Sequence, residues 1–104
     1  MTLQEFQQSC LDNSAFKDSP LYDLRYWGLA IAGEAGEVAD EIKKCIRDEN
    51  FILTPQRKEL ILNEMANVLY YLSRISSNLG VELESLTERQ IELCLKKKNE
   101  ARKG

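Results

Sequence analysis

Leu24-Arg25-Tyr26-Trp27-Gly28-Leu29-Ala30-Ile31-Ala32-Gly33-Glu34-Ala35-Gly36-Glu37-Val38-Ala39-Asp40-Glu41-Ile42-Lys43-Lys44-Cys45 decides the fold, because its apolar residues recur at one spacing. Leu24, Trp27, Ile31, Ala35, Val38, Ile42 and Cys45 lie three or four positions apart, the period that gathers side chains on one face of an α-helix. The same period continues on both sides. A first short helix is predicted over about Leu3 to Ala15, with Phe6, Cys10 and Leu3 on one side. Ser19-Pro20 reads as an N-cap and first-turn proline that open the long helix, which runs to about Asp48. Thr54-Pro55 repeats the signal and opens a third helix carrying Leu60 or Ile61, Met65, Val68, Leu72, Ile75 and Leu79, until Gly80 ends it. A fourth, from about Glu82 to Arg102, uses Leu83, Leu86 and Cys94 and frays into the basic Lys96-Lys97-Lys98 to Lys103 end. No stretch shows the alternation of a half-buried strand, so the expected fold is all-α, a single domain over residues 1–104.

Moving the second helix along by 30 positions lays it on the third: Ile31 on Ile61, Ala35 on Met65, Val38 on Val68, Ile42 on Leu72 and Cys45 on Ile75. The acidic positions follow. Glu34 overlays Glu64 at the edge of the apolar stripe, and Glu37 overlays Asn67 one step further out. A short connection over Glu49 to Thr54 makes the two helices antiparallel neighbours. A local two-fold would then turn both ligand edges toward one crevice, where four oxygen-bearing side chains can hold a hard cation such as Mg²⁺. Lys44 and Arg74 are equivalent under the same shift and would meet an anion held by the metal. Solvated charges on helix edges, with weak pairing between neighbouring turns, would give a similar pattern without a ligand. Gly33 and Gly36 bracket Glu34 inside the helix, where each glycine costs roughly 0.5–1 kcal/mol relative to alanine, so a close approach is expected there. It is either a ligand's approach or tight packing against a bulky neighbour such as Trp27 or Tyr70.

Composition narrows the function classes. The 104 residues carry 14 basic and 17 acidic side chains, net charge −3 and a pI near 5.0, which gives no general attraction to nucleic acid. The chain is at the small end for a self-sufficient core, so oligomerisation is plausible from size. Cys10, Cys45 and Cys94 are odd in number, lack CxxC spacing and have no histidine to join them, which argues against zinc and a disulfide framework. They read as reduced core thiols. No apolar run reaches the roughly 20 residues of a membrane span, and no signal peptide is visible, so a cytoplasmic protein is expected.

Trp27 to Lys44, followed by Glu64-Met65-Ala66-Asn67-Val68-Leu69-Tyr70-Tyr71-Leu72, resembles the MazG-type nucleoside triphosphate pyrophosphohydrolases, whose signature is ExxE, a spacer, then ExxD. The spacer here is 26 residues, between Glu37 and Glu64, and the likeness extends over nearly the whole chain. The resemblance implies an all-α chain of four helices whose bundle is completed by homo-oligomerisation, as a dimer or tetramer. It implies cleavage of (deoxy)nucleoside triphosphates between the α and β phosphates, to monophosphate and pyrophosphate, in the manner of a housecleaning enzyme. Glu34, Glu37 and Glu64 would ligate Mg²⁺, or Mn²⁺ in its place, with Asn67 as the fourth ligand where the family has aspartate. Lys44 and Lys43 would face the phosphates. With no histidine in the chain, a carboxylate must serve as base, and Glu34 or Glu37 can take that role. Tyr71, Trp27, Tyr26 and Tyr70 are candidates for stacking the base, and Tyr71 is best placed by helix angle; aromatic core packing is the other reading of Trp27. In the fourth helix the chain has Gln90, Leu93 and Lys97 where related sequences place an Asn, a Lys and an Arg that help bind the triphosphate, so Lys96, Lys97 or Lys98 would have to compensate. Two other readings stand beside the enzyme: a nucleotide or metal binder weakened by Asn67 and Leu93, and a ligand-free helical oligomerisation module.

Overall fold

The computed structural model describes residues 1–14 and 22–103, and among them every regular element is a helix: α1 (Leu3–Asp12), α2 (Leu24–Asp48), α3 (Pro55–Asn78) and α4 (Leu83–Lys103). Each boundary has a local cause. Thr2 caps α1 in a reciprocal capping box with Glu5, and Asn13 closes it by bonding Ser9 O through both its backbone and side-chain N–H groups. That closure stops α1 at Asp12, short of the expected Ala15, which lies outside the described residues. The Ser19-Pro20 signal also falls outside them; α2 starts from Asp23, whose carboxylate accepts the Arg25 and Tyr26 backbone N–H groups. Thr54 caps α3 with Pro55 in its first turn, as the sequence predicts. Gly80, at φ 70°, ends α3 with bonds from Gly80 N–H to Ser77 O and Val81 N–H to Ser76 O, a pairing that satisfies two of the helix's last carbonyls.

α2 and α3 form a long antiparallel hairpin, each about 36 Å in length. α1 lies against α3 and α4, α4 touches α3 and α1 near its start, and α2 and α4 do not meet. Gln7 fastens this corner: its amide donates to Ser77 Oγ and Val81 O and accepts from Leu83 N–H, so an α1 side chain caps α4.

Trp27 is the largest fully buried side chain, 1 % exposed. Its indole N–H donates to Tyr22 O, Tyr70 and Tyr71 pack against its ring, and the Arg74 guanidinium sits 4.6 Å from the ring centroid. Arg74 is itself buried, and its Nε and Nη1, like the buried Ser73 Oγ, have no hydrogen-bond partner among the described residues. The cation–π contact is the compensation this structure offers the guanidinium. At the other end of the hairpin Arg57 bonds both Glu41, at 2.5 Å, and Glu49, at 2.6 Å, and ties the start of α3 to the end of α2.

The expected apolar stripes form but are not covered. Among the described residues only Cys10, Trp27, Cys45 and Leu83 are buried hydrophobics, while Leu24, Ile42, Met65 and Leu79 stay substantially exposed. Cys94 is exposed, not a core thiol. The radius of gyration is 16.9 Å, against about 13 Å for a compact domain of this length. A single chain therefore builds the framework of a bundle without filling its core. Trp27 holds the hairpin's one dense cluster, so Trp27→Ala is expected to destabilise the chain by about 3–5 kcal/mol in urea unfolding followed by circular dichroism; a loss under 1 kcal/mol would place the stabilising core elsewhere.

Candidate functional site

Two contacts set the register of α2 on α3. Asn67 Nδ2 donates to Glu34 Oε1 at 3.0 Å, and Arg74 stands over Trp27 seven residues further along each helix. The same antiparallel register brings Glu37 opposite Glu64. The pairs Glu34–Asn67 and Glu37–Glu64 are thus exchanged by a local two-fold, which crosses the hairpin between Ala35 and Gly36 on α2 and between Met65 and Ala66 on α3. Burial follows the same symmetry: the half-buried and exposed positions of 31–40 recur, position for position, over 61–70. Glu34 and Glu64 are half-buried at the stripe edge, and Glu37 and Asn67 are exposed one step out.

The Glu34 carboxyl beside it, through hydrogen bonding to its protonated form and through its charge, together with burial, pushes Glu64 above the ordinary glutamate value of 4.5, while Asn67 pulls in the other direction. Tyr71 is close enough to Glu34 for that charge to raise its phenol, a lesser effect than its burial. Two carboxylates and one amide therefore converge with a tyrosine beside them. Among the described residues no group of three or more His, Cys, Asp or Glu side chains is arranged to hold a metal ion, although the charge of Glu37 also acts on Glu64, as the smallest of the upward effects.

The expected cations are elsewhere. Lys44 pairs with Asp40 at 3.1 Å and Glu41 at 3.8 Å, and Lys43 pairs with Asp40 at 2.9 Å. These two lysines, Lys43 before Lys44, hold the Asp40 carboxyl down to about 2. Arg74, the partner of Lys44 under the 30-residue shift, is folded under Trp27 and not turned to the crevice. Lys97 is exposed on α4, which nowhere meets α2. Trp27 has its ring enclosed by Tyr22, Tyr26, Tyr70, Tyr71 and Arg74, which is the core-packing reading; Tyr26 and Tyr71 keep partly open faces. Gly33 and Gly36 look into open space, so nothing among the described residues makes the close approach that these glycines permit. The amphipathic reading passed over one exposed feature, the hairpin tip Phe51-Ile52-Leu53, although three consecutive large apolar residues in a short connection are visible in the sequence.

No family model matches the chain. Over 68 residues it is 31 % identical to the Gene 37 protein of Mycobacterium phage L5, an alignment covering 65 % of this chain and 60 % of that protein. The chain thus spans about three fifths of the length of that curated relative. No helix among the described residues is long and apolar enough to cross a membrane.

The carboxyl pair has a pH signature. Glu64 keeps its proton to higher pH in the folded chain than in the unfolded one, so the folded state binds more protons and loses stability as pH rises through the raised value. In EDTA, the melting temperature of the wild type should fall relative to Glu64→Gln as pH climbs above 4.5. A difference that stays constant over that range would mean that the two carboxyls do not interact.

Proposed function

We propose that the chain is a homo-oligomeric, Mg²⁺-dependent nucleoside triphosphate pyrophosphohydrolase of the MazG type. The reading rests on one observation above all: the α2–α3 register sets Glu34 against Asn67 and Glu37 against Glu64 along one edge of the hairpin, the arrangement that the ExxE and ExxN turns require. The donor set suits a small hard cation. Mg²⁺ commonly takes one or two carboxylates and fills its remaining positions with water and substrate phosphate, so Glu34 and Glu64 with the Asn67 carbonyl are sufficient. The upward push that Glu34 gives Glu64 points the same way, since two carboxylates brought together without a cation repel. When bound, Mg²⁺ would neutralise phosphate charge and lower the pKa of coordinated water.

The chain's own residues supply the rest. Glu37 is exposed beside the pair and is free to accept a proton from attacking water. Tyr71 flanks Glu34 and offers a face to the base. Lys43 and Lys44 are held mainly by exposed or half-exposed ion pairs with Asp40, which contribute little and exchange readily for phosphate oxygens, beside a longer contact of Lys44 with the largely buried Glu41. Asn67 brings one negative charge fewer than the aspartate of the resemblance and thereby weakens metal binding. Its bond to Glu34 favours the reading as a weakened nucleotide or metal binder as the runner-up.

Oligomerisation is part of the proposal on physical grounds. Ala35, Val38, Ile42 and Cys45 on α2 and Leu62, Met65, Leu69 and Leu72 on α3 form two parallel seams of the spacing used in helical bundles. A groove lined by Ala35, Val38, Met65, Ala66, Val68, Leu69 and Leu72 lies open between them. A second hairpin laid there would complete the bundle, and the open glycines of α2 would admit its close approach.

A panel of nucleoside triphosphates with and without Mg²⁺ or Mn²⁺, with products resolved by ion exchange, tests the reaction. Monophosphate and pyrophosphate are expected, and diphosphate with orthophosphate would contradict it. Glu37→Gln should lower turnover about 100-fold or more with the helical signal unchanged. No product from any nucleotide, together with a Mg²⁺-dependent rise in melting temperature, would identify the binding protein instead.

A further inference from the structure

The two carboxyls at the centre of the hairpin share a hydrogen-bond donor. Asn67 Nδ2 stands 3.0 Å from Glu34 Oε1, and the same side-chain amide lowers the pKa of Glu64, one helical turn back on α3, through a hydrogen bond. An ionised carboxylate has lone pairs and no proton, so it is the NH₂ of the amide, and not its carbonyl, that faces Glu34. The planar amide then directs its Oδ1 away from the oxygen it serves. The local two-fold makes the other half of the site different. Glu37 takes the place of Asn67 opposite Glu64, and as a carboxylate it has no proton to donate; its charge pushes Glu64 up where Asn67 pulls it down. No lysine or arginine among the described residues pairs with Glu34, Glu37 or Glu64. The NH₂ of Asn67 is thus the positive end of a dipole set among three acidic groups, where positive charge is most favoured.

We propose that the Asn67 amide is an internal stand-in for the cation, a latch that holds Glu34 through its NH₂ and must turn over before Mg²⁺ is bound. The inference rests on the metal site of the preceding proposal. One side chain has two incompatible uses there: its NH₂ serves Glu34, its carbonyl serves a cation, and the Glu34 oxygen that accepts the N–H is one that a cation would take. Half a turn of the terminal amide torsion exchanges the two ends. That torsion has a broad, roughly two-fold preference, and Asn67 is exposed, so the turn is made in water rather than against a packed core. An aspartate at this position has no such alternative, because it presents oxygen at both ends and repels Glu34 until a cation arrives. Asn67 therefore does more than subtract a charge. It makes metal loading a competition with a hydrogen bond, and it lets the acidic edge of the hairpin stay assembled while no ion is held.

NMR of the full chain reads the latch directly. The side-chain NH₂ resonances of Asn67 are identified by their disappearance in Asn67→Asp. In EDTA they should show nuclear Overhauser contacts to the Glu34 side chain, and those contacts should vanish along the Mg²⁺ saturation curve that calorimetry gives for the same sample. Asn67→Asp, which removes the donor and adds a charged ligand, should bind Mg²⁺ about 10-fold or more tightly and melt at a lower temperature than the wild type in EDTA, with an unchanged helical spectrum. Contacts that persist at Mg²⁺ saturation, or that are absent in EDTA, would overturn the latch and leave the metal site standing. Binding by Asn67→Asp alone would mean an amide that never yields, and would overturn the turn-over. Binding by neither protein would overturn the metal site and the latch with it.

Discussion

Trp27, wedged between Tyr70, Tyr71 and Arg74 at one end, and Arg57, clamped by Glu41 and Glu49 at the other, hold α2 and α3 in a single antiparallel register. Each device joins residues that are distant in the chain, and each is largely shielded from water, where packing and charge-assisted hydrogen bonds have most effect. A slip of one helical turn would separate Glu34 from Asn67 and leave Glu37 without Glu64 across from it. The candidate site therefore depends on two locks that contribute no atom to it.

The acidic crevice shows what that register does to charge. Glu34 and Glu64 are brought close enough for the first to push the second above the ordinary glutamate value, the effect of gathering acidic groups where burial weakens screening. Cations nearby are spent on local pairs: Lys43 and Lys44 neutralise Asp40 on the same helix, and Arg57 neutralises two glutamates at the tip. No positive side chain among the described residues pairs with Glu34 or Glu64.

Incomplete burial is the second organising fact. Four helices with good caps leave Ile42, Met65, Leu69, Ile91 and the Phe51–Leu53 tip in water, and a chain of this length has little other apolar surface with which to cover them. The helices persist because capping, hairpin packing and the Trp27 cluster suffice locally. Their apolar seams stay open to solvent along α2 and α3.

The sequence by itself determined the helices, because periodicity, caps and the Gly80 stop are local: Thr54-Pro55 opens α3 and Gly80 closes it as their chemistry predicts. It also determined the 30-residue correspondence that sets Glu34 with Glu64 and Glu37 with Asn67, because positions on one helix face follow from a fixed angle per residue. Only the tertiary structure decided that Asn67 donates to Glu34, that Arg74 lies beneath Trp27 and so leaves the crevice, and that the predicted core stripes remain open. Those outcomes depend on which helix lies across from which, at what height, and on how much surface the rest of the chain can cover. Pairing of Lys44 with Asp40, four residues apart, was within reach of the sequence, since neighbouring turns of one helix set it. The left-handed Phe51 was not, because its backbone is held by Cys45, Glu49 and, through Glu49, the distant Arg57.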